Sequence, residues 1–350
     1  MVASGAGKSW LDSEAFFDPL PMKLSRLGEF GLIERIRRTT RTGGGVRIGI
    51  GDDCAWVDHS AGSSLITADL LIEGVHFERR WTSLYALGHK SLAVNLSDIA
   101  AMGGVPAYAI VSLGIPRTFD SKQIDEFYRG FNTLAKKCGV ALVGGDTNVA
   151  ESLIISVCLI GHPPVRPVCR SGAKVGDDIY VTGTLGDAAL GLENLRKQAP
   201  AVKRGAIAEL LARHHQPTPR LGAGALLARQ KLATAMIDIS DGLLQDLGHI
   251  CRASKIGAVI WNERLPLSRA YLAVAGKEGT RFALSGGEDY ELLFCARPRH
   301  RRQIEKLPAR AKVKITRIGT CVAAKQGITV LDRSGRPLAL RRKGHDHFKN

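Results

Sequence analysis

The sequence predicts a two-domain α/β protein, and three observations carry that reading. A chain of 350 residues can bury a large core and is long for one domain, which makes two domains the expectation. Short apolar stretches of β type, such as AYAIVSLGIP, alternate with helical patterns, such as 121–138 with Ile124, Phe127, Phe131, Leu134 and Ala135 on one face. Between 162 and 177 the chain reads HPPVRPVCRSGAKVGD, rich in Pro, Gly and basic residues and suited to a domain junction.

Composition narrows the class. Hydrophobic residues make up 45% and charged residues 23%, the balance of a soluble globular protein. Glycine is enriched, 39 in 350 against a usual ~7%, which points to turns and to close backbone approaches of the kind phosphate sites use. The formal net charge of +16 admits nucleic acid, anionic membrane or phosphorylated small molecules as partners. Much of the excess lies in 35–41 and 297–317 with few aromatics interleaved, which favours a solvated basic surface over nucleic-acid binding. No apolar run approaches the ~20 residues of a membrane span and the N-terminus lacks a signal-peptide core, so a cytoplasmic protein is expected. Seven cysteines without a CxxC pair read as reduced core thiols rather than disulfides or zinc ligands.

Taken in order, residues 1–24 contain SGAGKS, which fails as a P-loop because the spacing needs glycine where Val2 stands. This segment reads as a flexible extension, and 24–38 as the first amphipathic helix. VRIGIGDDCAWVD runs from a β-type stretch into a turn carrying Asp52 and Asp53, either a solvated turn or a divalent-cation site. In SLITADLLIEGVHF a strand over 65–67 ends at Asp69 and leads to His76. VALVGGDTN reads as an apolar strand, a glycine pair, then Asp146 and Thr147, a place where backbone amides can approach phosphate. SLIISVCLIG is another strand. DDIYVTG and the helical run 186–198 begin a βα pattern. TAMIDISDGLLQDLGHI places a strand ending in Asp238, Ser240 and Asp241 before a helix starting near Gly242. GAVIWN is a strand, and FALSGGEDYELLF is a glycine turn with Glu288 and Asp289 leading into another.

One stretch organises the rest. In KSLAVNLSDIAAMGG, residues 90–104, Ser91, Asn95 and Asp98 share one narrow helical face while Leu92, Leu96, Ile99 and alanines cover the remainder. A helix this apolar is expected to be buried, and a buried carboxylate costs several kcal/mol unless a cation or donors meet it. A helix cap or a salt bridge would answer that need, as would a metal. Acids recurring where apolar strands give way to turns, with no Ser-His or Cys-His pair, favour magnesium-assisted phosphoryl transfer at a site holding several ions.

The ordered set GIGDDCA, TADLLIEGVHF, KSLAVNLSDIAAMGG, LVGGDT, RSGAKVGD, YVTGTLGDAALGL, IDISDGLLQDLGHI, SGGEDYELLF and KGHDHF resembles the thiamine-monophosphate kinase family, within the aminoimidazole ribonucleotide synthetase and selenophosphate synthetase superfamily. The resemblance runs from about residue 28 to 348. It implies a PurM-like α/β architecture of the α+β type: an N-terminal ATP- and magnesium-binding domain over 25–162, whose strands pair across a homodimer, and a C-terminal α/β domain over 163–350. It implies ATP-dependent phosphorylation of thiamine monophosphate to thiamine diphosphate, the last step of that biosynthesis, with several Mg²⁺ ions and no certain catalytic side chain, Asp98 and Asp146 being central. Motif by motif, it makes Asp53, Thr67, Asp69, Asp98, Asp146, Asp238 and Asp241 magnesium ligands. It sets Gly145, Asp146, Arg170 and Ser240 around ATP, and His76 and Glu288 against the thiamine phosphate. A related enzyme activating another acceptor with ATP is the competing reading.

Two departures stand out. Ala68 occupies a position where the family commonly has a second hydroxyl before the acid, so a magnesium contact is expected to be lost or made by backbone or water. Near the C-terminus, where an aromatic commonly precedes the final glycine by two residues, this chain has Arg342, which repels a positive thiazolium.

Overall fold

The computed structural model describes residues 23–40, 43–163, 166–197, 204–276 and 279–339. The SGAGKS segment and Arg342 lie outside them. Two compact units divide the chain, an N-terminal one and a second covering 44–345. The first holds α1 (Leu24–Leu27) and α2 (Glu29–Thr39). A single helix over 24–38 is thus corrected to two, because Gly28 at φ 73 breaks the run.

The second unit contains two six-stranded mixed sheets on either side of 163–177. The first sheet is built from β1 (Val46–Ile48), β2 (Ala55–His59), β3 (Gly62–Ile72), β4 (Val105–Ile115), β5 (Ala141–Val149) and β6 (Ile154–His162), with α3 (Leu84–Ala101) and α4 (Ser121–Cys138) among them. Its order is β1-β2-β3-β6-β4-β5, with β4 and β5 parallel and the other neighbours antiparallel. Two strands run further than the sequence reading. Asp69 lies inside β3 rather than at its end, because pairing with β6 continues to Ile72. The glycine turn expected at 144–145 is part of β5, held by parallel pairing with β4 through Val149.

The second sheet is built from β7 (Asp178–Thr182), β8 (Ala233–Asp238), β9 (Ile256–Trp261), β10 (Leu292–Ala296), β11 (Ile315–Ala323) and β12 (Ile328–Leu331), in the order β12-β9-β11-β7-β10-β8. Around it run α5 (Asp187–Arg196), α6 (Arg204–His215), α7 (Leu221–Arg229), α8 (Leu243–Ser254), α9 (Arg269–Ala275), α10 (Arg281–Ser285), α11 (Arg301–Ile304) and α12 (Leu307–Ala311). β7 and β10 are buried at every position, as strands covered on both faces should be.

The first sheet is covered on one face only. Leu65, Ala109, Val111, Ile155, Val157 and Leu159 pack with Leu92, Leu96 and Ile99 of α3. The opposite face leaves Leu70, Tyr108 and Ile110 exposed, and every residue of edge strand β5 is exposed, Leu142, Val143 and Val149 included.

Helix α3 is the shared element. Ser83 caps it, accepting from the Ala86 N–H, so it begins six residues before the organising stretch. α4 crosses it so closely that a Cβ on Gly88 would lie 1.9 Å from the Phe127 carbonyl oxygen and one on Gly130 1.9 Å from that of Tyr85. At its other end, Ala100 and Ala101 enter the cluster of Ala223, Leu227 and Met236 beneath the second sheet.

Candidate active site

The last turn of α3 delivers Asp98 to the seam between the sheets. There one carboxylate oxygen from each of Asp53, Asp98 and Asp238 gathers within 4.8 Å. Asp53 comes from the turn before β2 and Asp238 ends β8. Thr67 Oγ1 donates to Asp98 Oδ2 at 2.5 Å, and Ser97 Oγ donates to Asp238 Oδ2 at 2.7 Å. Arg170 Nη2 stands 2.8 Å from Asp53 Oδ1, while buried Asp53 Oδ2 has no hydrogen-bond partner. No Lys, Arg or His pairs with Asp98 among the described residues, so the salt-bridge alternative fails there.

Electrostatics give the cluster its character. Burial first, then repulsion from Asp69, Asp238 and Asp53, raises Asp98 well above the usual carboxylate range. Asp238 is pushed up to about 8 by burial and by Asp53. Asp69 is pushed up to about 6 by burial and by Asp241. Burial raises Asp53 despite Arg170. The crowding, the all-oxygen donor set and the orphan Asp53 Oδ2 fit a divalent cation.

A second group lies at the start of α8, where ligand atoms of Asp241, Asp246 and His249 also come within 4.8 Å of one another. Asp246 Oδ2 accepts from the Asp241 and Gly242 N–H groups, closing the helix start. Burial, Arg170 and Arg252 push His249 down to about 3, leaving a neutral ring. Asp52, adjacent to the cluster, accepts from the Arg170 N–H and so ties the 49–54 turn to the junction segment.

Other expected site residues stand apart from the acids. His76 lies in the turn after β3, where Nδ1 accepts from the Ile72 N–H at 3.1 Å. Gly145 and Asp146 lie on β5, in register with Val111 and Ser112 of β4. Three strand spacings, about 14 Å, separate Gly145 from Asp69. A Cβ on Gly145 would meet the Val111 carbonyl oxygen at 1.9 Å, so strand packing alone requires glycine there. Asp146 accepts from the Thr147 N–H and from Asn148 Nδ2. Ala68 projects from β3 on the opposite face from Thr67 and Asp69, so a side chain there points away from the buried cluster.

Glu288 follows the glycine pair before β10, with φ 68, and its N–H donates to the Ser240 carbonyl at 2.7 Å. Lys90 Nζ stands 2.8 Å from Oε1 and His214 Nδ1 2.7 Å from Oε2. Burial alone would raise this carboxyl, but Lys90 and His214 outweigh it and hold Glu288 well below the usual range. Sequence reasoning missed both partners, although Lys90 opens the organising stretch and a lysine on so apolar a helix was itself a signal.

The chain matches the AIR synthase related protein family, its N-terminal domain over 51–162 and its C-terminal domain over 174–332. It is 40% identical over 276 residues to the thiamine-monophosphate kinase of Aquifex aeolicus, covering 78% of this chain and 87% of that protein. It is 40% identical over 325 residues to that of Escherichia coli O157:H7, covering 92% and 98%. The chain belongs to the thiamine-monophosphate kinase family. A solved complex of AaThiL with AMPPCP and TMP shares the fold of this family member at TM-score 0.80 and 35% identity, covering 93% of this chain and 99% of that one.

Proposed function

We infer that this thiamine-monophosphate kinase family member phosphorylates thiamine monophosphate with ATP, giving thiamine diphosphate and ADP. The observation that carries the reading is the buried Asp53, Asp98 and Asp238 triad, drawn from both sheets and short of positive charge. An oxygen of the acceptor phosphate attacks the γ-phosphorus, the bond from that phosphorus to the bridging oxygen breaks, and ADP leaves. The attacking oxygen is already anionic at neutral pH, so no side chain need remove a proton.

Asp53, Asp98 and Asp238 would hold magnesium, with Thr67, Asp69 and Asp241 alongside. Bound there, magnesium neutralises charge on the phosphoryl oxygens as they are brought together. Arg170 supplies a guanidinium beside Asp53; it would pair with phosphate oxygens of ATP, with Ser240 also on the ATP side. Glu288 offers a fixed anion to the cationic or amino-bearing substrate ring, and His76 completes the substrate side.

Two copies pair through the open face of the first sheet, whose exposed apolar residues and unpaired β5 edge need cover. Gly145 and Asp146 lie on that edge strand, so their roles with ATP and magnesium belong to the assembled dimer. The cytoplasm suits seven free cysteines, and no helix among the described residues is long and apolar enough to cross a membrane. A coupled assay for ADP release tests the reaction: release should require both thiamine monophosphate and Mg²⁺, and release indifferent to thiamine monophosphate would overturn the assignment.

A further inference from the structure

We propose that Lys90 and His214 are positioning residues that clamp the Glu288 carboxylate in the orientation in which it receives the substrate ring. The inference rests on the reading of Glu288 as a substrate contact.

Each oxygen of Glu288 has its own partner, Lys90 at 2.8 Å and His214 at 2.7 Å. Those partners lie behind it, with side chains 4% and 5% exposed, whereas Glu288 keeps 26%. Glu288 is therefore the member of the trio whose side chain reaches the surface. Each carboxylate oxygen has a second lone pair, which stays available to a donor from the substrate.

The backbone adds a second argument. Glu288 at φ 68 and Tyr290 at φ 49 are non-glycine residues in the left-handed region, and Tyr290 is bulky. Strain of this kind persists only where surrounding contacts over-determine it. The Glu288 N–H donates to Ser240 and the Tyr290 N–H to Ile239, so main chain and carboxylate are fixed together.

The clamp also sets a distance. Lys90 and Asp98 lie on the same helix, eight residues and about 12 Å apart along its axis. One rigid element thereby spaces the acid cluster from Glu288, as a substrate with phosphate at one end and a cationic heterocycle at the other requires. An ammonium as buried as Lys90 needs its anion, so the pair is held from both sides.

Steady-state kinetics of the full-length chain test this. Lys90→Met and His214→Asn should each raise KM for thiamine monophosphate about tenfold or more, with KM for ATP within about twofold of the parent. Lys90→Met added to Glu288→Gln should change KM by less than about twofold, because the residue acts through Glu288. Additive effects, or equal shifts in both KM values, would assign Lys90 a structural role and overturn the clamp. An unchanged KM in Lys90→Met and His214→Asn, with Glu288→Gln impaired, would also overturn it while leaving Glu288 in place. An unaffected Glu288→Gln would instead remove the reading of Glu288 on which the clamp depends. Should melting show Lys90→Met unfolded, His214→Asn alone and in combination with Glu288→Gln decides the same outcomes.

Discussion

Ser97 Oγ donates to Asp238 Oδ2 across 2.7 Å, joining residues 141 apart in the chain and tying α3 to the end of β8. Ser97 precedes Asp98, so a single helical turn delivers one carboxylate to the cluster and orients another. Ser97→Ala should fold normally and raise the Mg²⁺ concentration for half-maximal activity about tenfold. A magnesium titration of turnover checks this, and an unmoved midpoint would count against the contact.

Asp98→Asn removes a carboxylate that burial and three neighbouring acids already disfavour. Most turnover should be lost, while the melting temperature in chelator equals or exceeds that of the parent because repulsion is relieved. Melting with and without Mg²⁺, beside the ADP assay, separates the two effects. Parent-like turnover in the folded variant would sink the role of Asp98.

Gly130→Ala introduces a Cβ 1.9 Å from the Tyr85 carbonyl oxygen, against backbone that cannot swing aside. Forcing α3 and α4 apart should destabilise the protein by about 1–3 kcal/mol. Chemical denaturation would show a lower midpoint with an unchanged slope.

His215 sets a pH dependence of stability. Burial, then His214 and Lys90, push its imidazole down to about 4. The unfolded ring takes its proton below about 6.5, so between these values the unfolded state binds more protons and stability falls as pH falls. His215→Gln should flatten the decline in melting temperature from pH 6.5 toward pH 5, and an identical decline in both proteins would refute the sign.

Val143 is 57% exposed on edge strand β5. Val143→Glu should shift the assembly toward monomer, read as molar mass by light scattering, because a charge on that edge opposes strand-face pairing. A parent of monomer mass would remove the dimer reading.

Local pattern was enough for the elements themselves. α4 occupies 121–138 as its apolar face predicts, and α8 begins one residue after Gly242. The burial of α3 was legible too, since Leu92, Leu96 and Ile99 left a polar minority too small for a solvated helix. Where pattern misled, tertiary pairing intervened: Gly144 and Gly145 look like a turn but continue β5 because β4 supplies its hydrogen bonds.

By itself, the sequence determined an α/β chain with apolar strands, a buried Asp98 in need of positive charge, and an ordered motif set resembling one kinase family. The tertiary structure decided which acids meet. It brought Asp53, Asp98 and Asp238 together, left Asp146 on an exposed edge, and set Lys90 and His214 against Glu288. Spacing along a chain reports which face of an element a side chain occupies. Which faces meet is fixed by packing between residues far apart in the chain, and that packing is what creates both the crowded charge and its need for a cation.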